Sequence, residues 1–460
     1  MKRAVKWLVE HAAAGLFLDP GLGKTSITLA AITMLKEAGV LDRVLVVAPL
    51  RVCYLVWPAE MEKWNDFSHL RCAVLHGKDK TEAMLRRRDV DVFLINPEGL
   101  EWLLTKSRWK ALGVDTLVLD ESSKFKNSKT QRFKKLKPYL TRFRRRWILT
   151  GTPASNGLLD LFGQVYVMDT GRALGRFITH YRNKFFDRTG FGGFSWRVRE
   201  GAEEEIYAAL RPYVLRLSAE EYLTLPALTT INIKVQLPEK ARRVYDEMEA
   251  DLFSIVSGDR TLRAPNVASS VNKCRQIANG FAYWTDDTDP DDTRKRKMES
   301  VDIHDAKIEA VRELVDERNG KPTIVVYEFA EDLRRLRKEF GKDVPTLSGN
   351  MRQVAEVERA WNAGELPLLF LQPQSAGHGL NLQKAGDTMI WLSPIWDFEL
   401  YDQTIKRIHR QGTKHQAIFV YHVVATDTVD EAVVVALKRK RNVQNRLFDA
   451  LSTYRRSKGK

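Results

Sequence analysis

The sequence predicts an α/β protein with two tandem parallel-sheet lobes. Three observations carry that expectation. Short apolar, β-branched runs alternate with helix-like stretches. The runs fall into two series separated by a region of weaker strand signals, and the first series opens on a glycine-rich turn between a strand and a helix. At roughly 150 residues per domain, the 460 residues make two or three domains, each able to bury a core.

The first series of predicted strands is Gly15–Leu18, Val44–Ala48, Cys72–Leu75, Val92–Ile95, Thr116–Leu119 and Trp147–Leu149; the second is Thr323–Tyr327, Leu368–Leu371, Thr388–Leu392 and Ala417–Val423. The expected boundaries are a first lobe over 1–225 with an insertion at about 155–215, and a second over 226–440 with an insertion at about 240–305. A basic tail follows over 441–460. Phe177 to Arg199 mixes aromatic and basic residues around a turn at Gly190–Gly193; it reads as the small core of an insertion with its charges outward, or as a base-stacking surface. The charge-blocked stretch Asp286–Lys297 reads as a solvated loop.

Charge is concentrated. Lys and Arg total 74 against 59 Asp and Glu, a net +15. Residues 124–146 carry eleven basic and no acidic residues, and residues 438–460 carry nine basic residues and Asp449, so the rest holds 15 − 19 = −4. Two dense basic blocks on a slightly acidic body point to a polyanion partner, with a solvated helix face as the competing reading. Three separated cysteines, Cys53, Cys72 and Cys274, make neither a disulfide framework nor a four-ligand zinc site. No run approaches the ~18 apolar residues of a membrane span, and Glu10 and His11 interrupt the start of the chain. A soluble, cytoplasmic protein is expected.

Leu18-Asp19-Pro20-Gly21-Leu22-Gly23-Lys24-Thr25 follows the first strand and precedes a helical pattern through Ser26, Leu29, Ile32 and Leu35. This reads as a phosphate cradle, with a tight strand-to-helix turn carrying an incidental Lys-Thr as the competing reading. The glycines let backbone N–H groups approach oxygens, Lys24 can reach the β- and γ-phosphates, and the Thr25 hydroxyl can ligate Mg²⁺. Gly21, Leu22, Gly23, Lys24, Thr25 and Ser26 are the candidate nucleotide-binding residues, although the strict pattern has Gly where Leu18 stands. The run Thr116–Leu119 leads into Asp120-Glu121, with Asp120 expected to hold Mg²⁺ and Glu121 to activate water.

With these residues in place, the sequence resembles the superfamily-two helicases and, within them, the Swi/Snf-type DNA translocases, in a small bacterial or phage-like version. The resemblance runs from about Ala14 to Lys440. Val46-Val47-Ala48-Pro49 with Trp57, Glu60 and Lys63-Trp64 looks like motif Ia, and Leu149-Thr150-Gly151-Thr152-Pro153 looks like motif III. Asp120 to Asn127 is similar to the extended DExx box, and Arg211 to Arg216 with Leu225-Pro226 to the segment joining the two lobes. Gly377-His378-Gly379-Leu380-Asn381-Leu382 looks like motif V, and Gln403 to Gly412 like motif VI.

The resemblance implies two RecA-like lobes with nucleotide in the interlobe cleft, ATP and Mg²⁺ as cofactors, and movement on double-stranded DNA without sequence specificity. It makes Gln403, Arg407 and Arg410 catalytic, and Thr150, Gly151, Thr152, Gly379, Asn381, Lys124 and Lys126 coupling or DNA-contacting residues. The spacing of 403, 407 and 410 suggests a shared helix face. Two features depart from the family: no Gln precedes Lys24 to read adenine, and Thr413-Lys414 follow Gly412. The alternatives are a strand-separating DNA or RNA helicase and a nonhydrolysing DNA-binding module.

Overall fold

Both series of apolar runs form parallel sheets in the computed structural model, which describes residues 1–85, 89–189, 195–256, 264–284, 299–376 and 379–458. In the first series β1 is Ala13–Leu18, β2 Val44–Val47, β3 Cys72–Val74, β4 Val92–Ile95, β5 Thr116–Asp120 and β6 Arg145–Thr150. β7 (Phe186–Thr189) and β8 (Ser195–Val198) form an antiparallel hairpin, and β9 is Val214–Leu217. The sheet order is β3-β4-β2-β5-β6-β1-β9, with every pairing parallel. Alternate residues enter opposite cores: Leu45, Val47, Leu117, Leu119 and Ile148 on one face, and Val44, Val46, Val118, Trp147 and Leu149 on the other. This two-sided burial is why these strands read as continuous apolar runs.

The second sheet holds β10 (Ala227–Val235), β13 (Thr323–Val326), β14 (Leu368–Leu371), β15 (Thr388–Trp391) and β16 (Ala417–Ala425), ordered β10-β16-β15-β13-β14 and again parallel. β11 (Phe281–Trp284) and β12 (Glu299–Asp302) form a separate hairpin. The two-lobe α/β class is therefore observed. The chain divides into one unit of Met1–Thr224 with Lys440–Lys460, and another of Leu225–Arg439. Residues 441–458, read from the sequence as a basic tail, are helical, the end of Val429–Lys458.

β9 and β10 were not expected. Each lies at a sheet edge with one neighbour, and β10 is exposed along most of its length, so its Thr, Asn and Lys residues dilute the apolar signal. The 177–199 segment follows the core reading. Tyr181, Phe185 and Phe186 are buried, while Arg182 and Arg188 lie over the Trp196 ring. Its Gly190–Gly193 turn lies outside the described residues, as does the whole of Asp286–Lys297.

A buried polar hub ties the second unit together. Lys307 is wholly buried, pairs with Asp430 and donates to Asn279 Oδ1 at 2.9 Å, and Asn279 Nδ2 reaches Asp332 Oδ1 at 3.1 Å. Arg335 donates to the carbonyl oxygens of Asn279 and His304. His304 sets Nε2 against the Ile277 carbonyl at 2.9 Å and Nδ1 against the Ala306 N–H at 3.3 Å, which fits one donor and one acceptor on a neutral ring. Burial, with the charges of Arg335 and Lys307, pushes the His304 pKa down to about 4. Between its ordinary value near 6.5 and about 4, the unfolded chain binds a proton that the native ring does not, so stability falls as pH falls. Acidification from pH 7 to 5 should cost the second unit about 2 kcal/mol through this group. H304Q should flatten that dependence, measured by urea unfolding at each pH.

Candidate nucleotide site and nucleic-acid surface

β1 ends at Leu18, and the chain turns through Asp19 and Pro20 into the glycine loop. Gly21 (φ 89°) and Gly23 (φ 72°) adopt the left-handed conformation that a Cβ disfavours. Helix Lys24–Glu37 starts directly after Gly23 without a side-chain cap, so its first N–H groups face the loop. The helix is held by Ile27, Leu29, Ile32 and Leu35, all buried. Leu18, at the position where the strict pattern has Gly, turns its side chain into that same core. Only its carbonyl faces the loop, where it accepts from Lys24 Nζ at 3.1 Å. A residue with a side chain is therefore tolerated there.

The loop is pinned from the end of the Arg211–Arg216 segment, through a pairing that the sequence did not indicate. Arg216, at the centre of β9, donates to Asp19 Oδ2 at 2.8 Å and to the Phe17 carbonyl at 3.1 Å, and Asp19 also accepts the Ala219 N–H at 2.9 Å. Both partners are largely buried. The two lie 197 positions apart, and only the β1–β9 pairing brings them together.

β5 ends at Asp120. Its carboxylate accepts from Trp57 Nε1 at 3.0 Å and from the Glu121 N–H at 3.1 Å. Burial raises its pKa, opposed by the charge of Lys24, the Trp57 indole and the Glu121 amide. Glu121 is one of four non-glycine residues with positive φ (54°) among the described residues, a costly conformation held in place by its surroundings. Between β1 and β5 lies β6, whose end supplies Thr150, Gly151 and Thr152. Thr150 Oγ1 accepts the Thr152 N–H at 3.1 Å. A Cβ on Gly151 would come within 3.1 Å of Pro20 Cδ and 3.4 Å of the Leu18 carbonyl, so this glycine lets the β6 turn pack on the phosphate loop.

These groups fit a magnesium nucleotide: backbone N–H donors and Lys24 for phosphate, with the Thr25 hydroxyl and buried Asp120 carboxylate as hard oxygen donors. Among the described residues no cluster of three or more His, Cys, Asp and Glu could hold a metal alone. Ser26 is assigned differently from expectation. It is buried, and its hydroxyl donates to Glu60 Oε2 at 2.6 Å, within the protein.

The basic block divides in two. Arg145 donates to the carbonyls of Leu8 and Val9, and Arg146 to those of Leu140, Phe143 and Met168, so both cap backbone ends. Lys126, expected to contact DNA, donates to Ser155 Oγ at 3.0 Å beside Asp160 at 3.7 Å. Lys129, Lys134, Lys135, Lys137, Arg142 and Arg144 are exposed, while Lys124 is half-buried. The outward charge thus lies mainly beyond the two lysines that the motif singled out.

In the second unit the shared helix face expected for 403, 407 and 410 is not formed. The helix Phe398–Ile405 ends before Arg407, and successive turns carry the chain on to Arg410. Past Ile405 the bonds tighten, with the Arg407 N–H on the Thr404 carbonyl and the Ile408 N–H on the Ile405 carbonyl, both at 3.1 Å, and the Arg407 carbonyl accepts the Leu382 N–H at 3.1 Å. Arg407 is buried with Nη1 on the Leu380 carbonyl, and Arg410 donates to Asn381 Oδ1 at 2.6 Å. Asn381 in turn gives its N–H to Glu358. Motifs V and VI are therefore brought together, with Gly379 at φ 82° opening the loop. Gln403 is buried and directed at Glu399, 3.4 Å away, inside the unit. His378 lies outside the described residues. Among the described residues no helix is long and apolar enough to cross a membrane.

Replacing Glu121 by Gly should relieve its left-handed backbone and stabilise the first unit by about 0.5–1 kcal/mol. The check is the urea midpoint of that unit, which a merely packed Glu121 would lower.

The SNF2-related domain model matches residues 1–280, and the helicase conserved C-terminal domain model matches residues 306–412. A protein designated p41, from Acyrthosiphon pisum secondary endosymbiont phage 1, is 35% identical and covers 97% of this chain and 96% of its own length. Chromatin remodeling factor mit1 of Schizosaccharomyces pombe is 24% identical over 97% of this chain, which spans only 32% of that protein. Among solved structures, the Sulfolobus solfataricus SWI2/SNF2 ATPase core in complex with dsDNA is similar at 24% identity and a TM-score of 0.44, covering 96% of this chain and 90% of that one. A domain match over more than half of the residues and a phage relative similar over nearly its whole length agree with the motifs placed above, and the chain belongs to the SNF2-related family.

Proposed function

We propose that this chain is an ATP-dependent translocase that moves on double-stranded DNA without reading its sequence. The observation that carries the reading is the convergence of three neighbouring strand ends, β1, β6 and β5, which bring the Lys24 loop, the Thr150–Thr152 turn and Asp120-Glu121 to one edge of one sheet. Ligands of open α/β sheets bind at such carboxyl ends.

In this reading the N–H groups of Gly21 to Thr25 and the Lys24 ammonium hold the triphosphate, while Thr25 and Asp120 hold Mg²⁺. The bound ion neutralises charge on the phosphate oxygens. Glu121, beside Asp120, accepts the proton of the attacking water and orients it. Arg407 and Arg410 are assigned by the resemblance to the same triphosphate as stabilising cations. Their bonds to Leu380 and Asn381 link that role to the motif V loop. The Gly151 contact with Pro20 offers a route by which the β6 turn senses the phosphate loop. DNA is gripped through its phosphates by exposed basic residues such as Lys129, Lys134, Lys137 and Arg144, which requires no base contact.

Steady-state ATPase with duplex DNA, single-stranded DNA and RNA tests this. Duplex should stimulate most, E121Q should abolish turnover while retaining nucleotide binding, and stimulation by RNA alone would sink the proposal. Replacing Lys129, Lys134, Lys137 and Arg144 together by Ala should weaken duplex affinity and flatten its salt dependence; an unchanged slope would remove this surface from the grip.

A further inference from the structure

One short helix reaches two sides of the phosphate site. A π-type turn, Val52–Val56, leads into helix Trp57–Lys63. Its first residue, Trp57, is fully buried and donates Nε1–H to Asp120 Oδ2 at 3.0 Å, while the other carboxylate oxygen accepts the Glu121 N–H at 3.1 Å. Glu60, three positions on, accepts from Ser26 Oγ at 2.6 Å and from Trp64 Nε1 at 3.0 Å. Positions i and i+3 share a helix face. One face therefore holds Asp120 and the first turn of the phosphate helix, at the residue next to Thr25.

We infer that helix Trp57–Lys63 is a positioning brace for the metal side of the nucleotide site: Trp57 orients Asp120, and Glu60 anchors Ser26 beside Thr25. The inference rests on the nucleotide reading above and concerns residues that touch neither phosphate nor water. The terminal torsion of an aspartate is broad and roughly two-fold, so a carboxylate holds one aim only when both oxygens are engaged. At Asp120 one donor comes from its own backbone neighbour and the other from Trp57, 63 positions away. The indole donor thus transfers the rigidity of a packed core to the metal-binding oxygens. Glu60 does the same for the phosphate helix, since its carboxylate fixes Ser26 and hence the backbone that carries Thr25.

The test is calorimetric binding of a nonhydrolysable ATP analogue to the full chain, once in Mg²⁺ and once in EDTA. W57F keeps an aromatic ring in the core and removes the N–H. It should cut the gain in affinity supplied by Mg²⁺ about tenfold, the scale of outer-sphere partners of metal ligands, and leave the affinity in EDTA unchanged. The loss should vanish in a D120N background, because the indole then has no metal ligand to orient. E60A, at a more exposed bond, is the second variant and should reduce the Mg²⁺ gain in the same direction. Equal losses in Mg²⁺ and EDTA would mark a packing role alone and overturn the brace, as would an unchanged Mg²⁺ gain in both variants. A wild-type chain with no Mg²⁺ gain would overturn the nucleotide reading itself and the brace with it.

Discussion

The parallel hydrogen-bond register of β6 between β1 and β5 is the constraint on which the rest depends. Phe17 aligns with Thr150, and Asp120 with Leu149, so the three strands end level with one another. Level ends put a glycine loop, an acidic pair and a threonine turn side by side, although Asp120 lies 120 − 24 = 96 positions after Lys24 and Thr150 a further 150 − 120 = 30. The contact of Gly151 with Pro20 follows from that alignment. So does the field of Lys24 at Asp120.

Buried charge recurs wherever the fold must hold a position. Arg216 with Asp19 fixes the phosphate loop, and Lys307 with Asp430 fixes the start of the last helix. Such pairs are poor sources of net stability, because desolvation offsets much of the attraction. They do punish the loss of one partner, so each specifies a geometry. Both are surrounded by further hydrogen bonds, as the cost of an unpaired buried charge requires.

Basic residues serve two ends in the same stretch of chain. Arg145 and Arg146 direct their guanidinium groups at carbonyl oxygens, where a planar fork can satisfy several acceptors at once. The exposed lysines of 129–137 lie at the surface, with Lys135 paired to Glu101 and Lys137 over the Tyr166 ring. A count of charge over 124–146 merges the two populations.

Composition and pattern by themselves determined the α/β class, all ten strands of the two apolar series, and the places of the glycine loop and the acidic pair at strand ends. Each is a local signal: a run buried on both faces, or a motif whose spacing is its chemistry. The edge strand β10 escaped because its exposure leaves polar residues along it, whereas β9 is a buried run of only four residues interrupted by Arg216. Long-range partners escaped for a different reason. Nothing in the spacing of Asp19 and Arg216, of Asp120 and Trp57, or of Ser26 and Glu60 pairs them before strands and helices are packed. The tertiary structure alone decided that Ser26 faces Glu60, that Lys126 faces Ser155, and that the helix stops short of Arg407. In the first two cases a buried donor or acceptor found a partner distant in sequence, and that bond overrode the local reading.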